Sequence, residues 1–435
     1  MNRLAQDLNH TIQNSNPYIF DMLSDIGKKL FFPKGILSQS AEAKEKAHKI
    51  NATIGIAKQN NRVMSLSSVT QSICGIDPDK YLPYASSFGL PGLREKWQQE
   101  LFRKNLSLEN KNISVPVVTG GITHAVSIFA DLWTNPGDTI ILPDMMWGNY
   151  NMTFGVRKGV KVKQYDTFDA ELTSYNIDSF EKTIKKEAES SSKIIVLLNF
   201  PHNPTGYSLS VEEGKKIAEI LKKIARKGTN VIAVLDDAYF GLFYEPETMK
   251  ESLFSLLSDA DERLLAVKLD GATKEDYVWG LRLGFITYGL QTKRDSNKIY
   301  EALEKKTAGC VRGNVSNISH LSQAILLKAM DSEDYLNLKQ EKFNLLMDRC
   351  SSIKAILKNP VYKNAFDVYP FNSGYFMCIR LKNNNAEKLR VYLLEKYGLG
   401  LISIGENNLR IAFSCVEEKD LKTLFDIILK GIKEL

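Results

Sequence analysis

Short apolar runs alternate with longer amphipathic stretches through the middle of the chain. Val115–Thr119, Thr139–Leu142, Val160–Tyr165, Ile194–Asn199, Val231–Leu235, Leu264–Leu269 and Leu283–Tyr288 read as short buried strands. Ile122 to Trp133 reads as a helix. So does Val211–Ala225, where Val211, Ile217, Ile220, Leu221 and Ile224 recur at helical spacing. Continuous apolar strands separated by helices predict a mostly parallel sheet covered on both faces. The expected fold class is therefore α/β, with a seven-stranded sheet in a large domain over residues 65–332. The ends differ. Ala41–Lys49 reads as helix and Ile50–Ile56 as a short strand. Beyond Ser332 come helical stretches, strands at Tyr375–Leu381 and Leu409–Ser414, and a closing amphipathic helix from Glu418 to Leu435. These predict a smaller α+β domain built from both ends of the chain. Residues 1–64 supply an N-terminal arm and part of it, and residues 333–435 supply the rest. No internal repeat or linker tract interrupts the pattern.

Composition narrows the function classes. The 435 residues are 43% hydrophobic and 25% charged, an ordinary globular balance that excludes collagen-like and disordered readings. Lys and Arg total 57 against 51 Asp and Glu, a net charge of +6 with no dense basic block, so nucleic acid is not an expected partner. The apolar runs fall far short of the ~20 residues of a spanning helix, so no membrane partner is expected either. Met1 to Asp21 has no signal-peptide apolar segment, and the five cysteines lie far apart in sequence, which together predict a cytoplasmic location. No histidines stand at metal-ligand spacing, and there is neither a Gly-x-Ser-x-Gly elbow nor a Walker loop. Metallohydrolases, hydrolase triads and P-loop ATPases lose their support.

Three segments carry candidate chemistry. Asn199-Phe200-Pro201-His202-Asn203-Pro204-Thr205-Gly206 runs from an apolar strand into a turn at the strand's carboxyl end, where open α/β sheets bind ligands. Its Asn-Pro and Gly also make a good turn by local chemistry alone. Asp236-Asp237-Ala238-Tyr239 puts two adjacent carboxylates just past a buried strand, costly unless paired or solvated. One of them could simply cap the next segment. Gly271-Ala272-Thr273-Lys274 is followed by Gly280-Leu281-Arg282-Leu283-Gly284. There Lys274 is either a solvated surface group or a Schiff-base amine in a partly buried site.

In this order and spacing, from Tyr84 to Arg410, the segments resemble the class I and II aminotransferases, pyridoxal-phosphate enzymes of fold type I. The resemblance implies pyridoxal phosphate as cofactor and a homodimer with active sites at the subunit interface. It also implies transfer of an amino group from an L-amino acid to a 2-oxo acid. The cofactor is an electron sink that the protein binds and tunes. Lys274 is implied as the Schiff-base lysine and proton carrier. Asp236, three residues before Tyr239, is implied as the partner of the ring nitrogen, with Asp237 the alternative at the wrong spacing. Tyr239 and Asn203 match the donors to the ring's phenolic oxygen, and Trp147 the aromatic that stacks on the ring. That Trp147 could equally be a core residue at a strand end.

For the phosphate, the resemblance implies Gly121, Ile122 and Thr123 at a helix N-terminus, with the Arg282 cation and the Thr273 hydroxyl. Gly271 departs from the family, where a second hydroxyl is common. Tyr84 matches the tyrosine that reaches the phosphate from the neighbouring subunit, and Tyr81 is the weaker candidate. Arg410, in Leu409-Arg410-Ile411-Ala412-Phe413-Ser414, matches the arginine that grips the substrate's α-carboxylate, with Gly55 beside it. Arg312, in Val311-Arg312-Gly313-Asn314-Val315-Ser316-Asn317, matches an arginine that pairs with a side-chain carboxylate across the subunit interface. Its plain reading is a solvated residue between helices Ile299–Lys306 and Leu321–Met330, with a loop from Lys305 to Cys310. Two other functions fit parts of the pattern. A carbon–sulfur lyase would use the same ring residues. A non-catalytic pyridoxal-phosphate-binding regulator would need a basic DNA-binding domain, for which the first ~50 residues are too short and insufficiently basic.

Overall fold

The computed structural model describes residues 1–31, 35–293 and 295–435. Its centre is a seven-stranded sheet of β1 (Val117–Thr119), β2 (Thr139–Pro143), β3 (Lys161–Tyr165), β4 (Lys193–Asn199), β5 (Asn230–Asp236), β6 (Leu264–Asp270) and β7 (Gly284–Leu290). The spatial order is β1-β7-β6-β5-β4-β2-β3. Neighbours from β6 through β5, β4 and β2 to β3 pair parallel, whereas β7 runs antiparallel to both β6 and β1. The central strands are buried on both faces, the physical cause of their uninterrupted apolar runs.

Five helices matter below: α1 (Ile122–Trp133), α2 (Val211–Arg226), α3 (Ala272–Glu275), α4 (Ser296–Val315) and α5 (Tyr335–Leu357). Helix α2 starts where the sequence says it must, on a capping box. Ser210 Oγ accepts from Glu213 N, and Glu213 Oε2 accepts from Ser210 N at 2.7 Å. Its apolar stripe buries Ile217, Leu221 and Ile224 against the sheet.

A smaller antiparallel sheet, in the order β8 (Phe366–Val368), β9 (Met377–Leu381), β11 (Asn408–Ile411), β10 (Ile402–Ile404), lies toward the C-terminus. Ile50–Asn51 pairs parallel with Leu399–Gly400, so both ends of the chain build this unit, as expected.

The differences from the sequence reading are local. Helices Arg3–Ser15, Pro17–Met22 and Asp25–Lys29 open the chain, the helix expected over Ala41–Lys49 spans Ile36–Lys46, and the strand expected over Ile50–Ile56 stops at Asn51 because residues 53–56 bend toward the site. The expected strands at 375 and 409 are shorter, Met377–Leu381 and Asn408–Ile411, the latter ending in a 3₁₀ turn Phe413–Cys415. The anticipated loop Lys305–Cys310 does not exist. Helix α4 runs unbroken through it, because Thr307, Ala308 and Val311 continue its buried stripe, and Arg312 lies in its last turn. A π-helix over Asn151–Arg157, directly after Tyr150, had no sequence signal. Among the described residues no helix is long and apolar enough to cross a membrane, and no His, Cys, Asp or Glu cluster could hold a metal ion.

Candidate active site

The parallel strands all end at one edge, and the chain leaves that edge at Thr119, Asn199, Asp236 and Asp270. Because β7 is antiparallel, its beginning lies at this same edge, which brings Arg282 to the ends of β5 and β6. Here a cavity of about 210 Å³ is lined by Gly55, Ile122, Thr123, Trp147, Tyr150, Asn199, Asn203, Asp236, Ala238, Tyr239, Lys274, Arg282, Phe376 and Arg410. Ten of these residues were singled out from sequence. A larger cleft of about 610 Å³, lined by Lys193, Asn230 and Leu264 among others, opens at the opposite edge, where these strands begin. Open α/β sheets bind ligands at the carboxyl edge, so the smaller cavity is the candidate.

Asp236 is the last residue of β5 and is buried. Its Oδ2 accepts from Tyr150 Oη at 2.5 Å and its Oδ1 from Ala238 N at 3.1 Å. Burial pushes its carboxyl up to about 6, against the lowering pull of those two donors and of Lys274. Asn199 ties the floor together. Its Nδ2 donates to Asp236 O at 2.7 Å, and its Oδ1 accepts from Asn203 N at 2.8 Å.

Lys274 stands on the single turn of α3, with Nζ 5.3 Å from the centre of the Tyr239 ring. Burial draws its ammonium down to about 8; Arg282 adds to this and Asp236 opposes it. An amine so placed is available as a nucleophile or base near neutral pH.

At one end of the cavity α1 begins after Gly121, whose φ of 82° favours glycine. A Cβ there would lie 2.6 Å from Arg282 Nη2, and one on Gly284 would lie 2.7 Å from Gly121 C. These two glycines let the helix start, the Arg282 guanidinium and the start of β7 crowd together. Free N–H groups of a first helical turn beside a cation form an anion site. Thr273 lies behind this end, its Oγ1 donating to Leu283 O at 3.3 Å.

At the other end, Arg410 on β11 is buried, with its guanidinium 4.2 Å from the Phe376 ring centre. Its Nη2 donates to Thr53 O at 2.9 Å and its Nη1 to Asn203 Oδ1 at 3.3 Å. Its Nε is buried without a hydrogen-bond partner, and among the described residues it makes no ion pair. A buried guanidinium with an unused donor and no carboxylate is built for an anion from outside.

Trp147 is half-buried on the wall, edge-on to Tyr150 at 5.5 Å. Tyr84 and Arg312 are not in this cavity. Both are exposed, Tyr84 at 91%. Their segments are joined by Ser87 Oγ donating to Ser316 O at 2.7 Å and by His320 Nδ1 against Pro83 O at 2.8 Å. Sequence reasoning missed Tyr150, Asn199 and Phe376. Asn199 opens the motif already quoted, and Tyr150 stands three residues after Trp147. Phe376 reads only as a core aromatic.

A fold that gathers an amine, a buried carboxylate, an anion cradle and a second buried guanidinium around one cavity defines a cofactor-dependent enzyme of amino-acid chemistry. Residues 48–428 match the family model described as aminotransferase class I and II, and the chain belongs to that family. It is 26% identical over 369 residues to the aspartate aminotransferase of Sulfurisphaera tokodaii, covering 81% of each chain. To the probable N-acetyl-LL-diaminopimelate aminotransferase of Bacillus subtilis it is 25% identical, covering 69% of each. The crystal structure of an aminotransferase from Anaerococcus prevotii shares the fold with a TM-score of 0.83 at 24% identity, over 94% of this chain and 98% of that one. The chain is an aminotransferase, and pyridoxal phosphate is its cofactor. The cavity fits that group. The Gly121 and Arg282 end suits its phosphate, the buried Asp236 a cationic ring nitrogen, and Lys274 its aldehyde.

Proposed function

We propose that the cavity moves an amino group from an L-amino acid to a 2-oxo acid, with Lys274 as the amine that bears the cofactor. The observation that carries this reading is Arg410, a buried guanidinium with an unused Nε, facing the same cavity as Lys274. Substrate and product each carry one α-carboxylate, which Arg410 and the neighbouring Gly55 backbone would hold through both halves of the cycle. Bound there, pyridoxal phosphate supplies the electron sink that makes the substrate's α-proton removable. Lys274 Nζ takes up that proton. Asp236 keeps the ring nitrogen charged, Tyr239 and Asn203 donate toward the ring's oxygen, and Trp147 covers its face. Ile122, Thr123 and Arg282 hold the phosphate, with Thr273 behind them.

The working unit in this reading is a homodimer in the cytoplasm, each copy offering Tyr84 and Arg312 to the other's cavity. The exposure of Tyr84 and of Leu82, 91% and 72%, and the bonds that tie their segment to the end of α4 support it. The five free cysteines fit a reducing compartment. The division at residues 64 and 332 follows from the same reading, with the Ile50–Leu399 pairing closing the smaller unit.

A donor panel with 2-oxoglutarate tests it, run on the wild type and on Arg312→Leu. Each productive donor should bleach the cofactor's visible band, and an oxo acid should restore it. If Arg312 reads a side-chain carboxylate, the variant loses a hundredfold or so for dicarboxylic donors alone. Release of ammonia without an acceptor would mean elimination rather than transfer.

A further inference from the structure

Lys274 sits in a stretch of backbone under strain. Its helix is one turn long, and Tyr277 and Arg282 beyond it have φ of 57° and 54°, in the left-handed region that a bulky side chain seldom occupies. Such conformations persist where the surroundings over-determine them. Two supports reach this stretch from the last third of the chain.

The first is Tyr375, fully buried, whose Oη donates to Lys274 O at 2.6 Å. Its ring packs edge-on to Tyr239 at 5.3 Å and near Trp279 at 6.3 Å. The segment that carries it is stitched to the Asn203–Gly206 turn, with Asn372 N and Ser373 N both donating to Gly206 O at 2.9 Å. Tyr244 Oη closes the stitch by donating to Gly374 O at 2.6 Å. The second support is Lys339 on α5. Its Nζ bridges Glu275 Oε1 at 3.0 Å and Asp276 Oδ1 at 2.8 Å, the two residues after Lys274. Lys104 holds the other Glu275 oxygen at 2.8 Å.

We infer that Tyr375, with the Lys339–Glu275 pair opposite it, is a positioning residue that fixes Lys274 in the cavity. Neither group lines the cavity, so the influence runs through the Lys274 main chain. Tyr375 also couples the two ends of the site, because the next residue, Phe376, lies under the Arg410 guanidinium. The inference rests on the proposal that Lys274 bears the cofactor. The groups that face Lys274 Nζ are Asp236, Arg282 and the Tyr239 ring, and none of them is altered by the variants below.

Tyr375→Phe keeps the ring and removes the donor. In the full-length, cofactor-loaded protein, two quantities are measured: the pH midpoint of the cofactor's visible absorbance, and the rate and site of borohydride fixation by peptide mapping. The expected result is a thermal midpoint close to wild type. The absorbance midpoint moves by about half a pH unit or more, and fixation on Lys274 slows about tenfold. Glu275→Gln should move both in the same direction by a smaller amount. Fixation on Lys274 with wild-type midpoint and rate in both variants would overturn the positioning role alone. Fixation on another lysine would overturn the Lys274 assignment, and this inference with it.

Discussion

Strand β5 leaves the sheet through two adjacent aspartates whose side chains point to opposite faces. On one face Asp236 meets the cavity. It accepts hydrogen bonds from Tyr150 and Ala238, has no cation in salt-bridge contact among the described residues, and is held protonated up to about pH 6 by burial. On the other face Asp237 is ion-paired to the fully buried Lys268 and accepts from Ser252 Oγ at 2.6 Å. Lys268 also lies 3.7 Å from Asp270, which receives Trp97 Nε1 at 3.2 Å, and 4.3 Å from the Phe240 ring centre. The Asp237 face is closed, each charge answered within the chain. The Asp236 face is left incomplete, with a carboxylate short of a cation near a guanidinium short of a carboxylate. The proposed chemistry lies on the face that folding leaves unfinished.

The largest expected separation between the faces is catalytic. Asp236→Asn should lower turnover by about 10³-fold or more, since a neutral amide cannot hold the ring nitrogen charged. The same change should not weaken the cofactor-free fold. The folded carboxyl binds its proton more tightly than the unfolded one, so wild-type stability falls as pH rises from 3.8 to about 6. Above that window the deficit is on the order of 3 kcal/mol, and asparagine removes it. Urea unfolding of the cofactor-free variant against wild type across that range checks the sign.

Asp237→Asn should act the other way. Leaving buried Lys268 with only the more distant Asp270 as counter-charge costs on the order of 3 kcal/mol of stability, read as a lower unfolding midpoint. Turnover per folded molecule should stay within about tenfold of wild type. Equal catalytic losses for the two asparagines would dissolve the contrast. The smallest effect sharpens it. Tyr150→Phe removes a donor that lowers the Asp236 carboxyl, so the acid limb of the activity profile should move to higher pH, with a loss of about tenfold in kcat/KM.

Much of this was legible in the sequence because strands buried on both faces leave long apolar runs, and the site hangs on their ends. Asn203, Asp236, Lys274 and Arg282 all follow such runs within a few residues or precede one. The family resemblance singles out Asp236 over Asp237 by its spacing to Tyr239, and Asp236 is the one of the two that lines the cavity. That Asp237 has its own buried lysine was not legible, because Lys268 lies 31 residues away and looks like any lysine in a strand. The sequence pattern ends helix α4 at Lys306, since Gly309 and Gly313 imitate a loop, whereas the buried side of the helix continues past them. Tyr375 and Phe376 carry no motif, and only tertiary packing turns them into supports for Lys274 and Arg410.

The reversal of β7 has a consequence for how the site is put together. With that strand running back along β6, the amine at 274 and the cation at 282 belong to one excursion from the sheet edge and back, and the short turn after β1 completes the anion end. The guanidinium end has no such economy. Thr53, Asn203, Phe376 and Arg410 must be drawn from across the whole chain. Closing loops of that length is entropically expensive and slow compared with local closure. At the anion end only the excursion from 274 to 282 is local, because Gly121 meets Arg282 across about 160 residues of chain. The Arg410 end reaches further still, to Thr53 across 357 residues, and is complete only when β11 has docked.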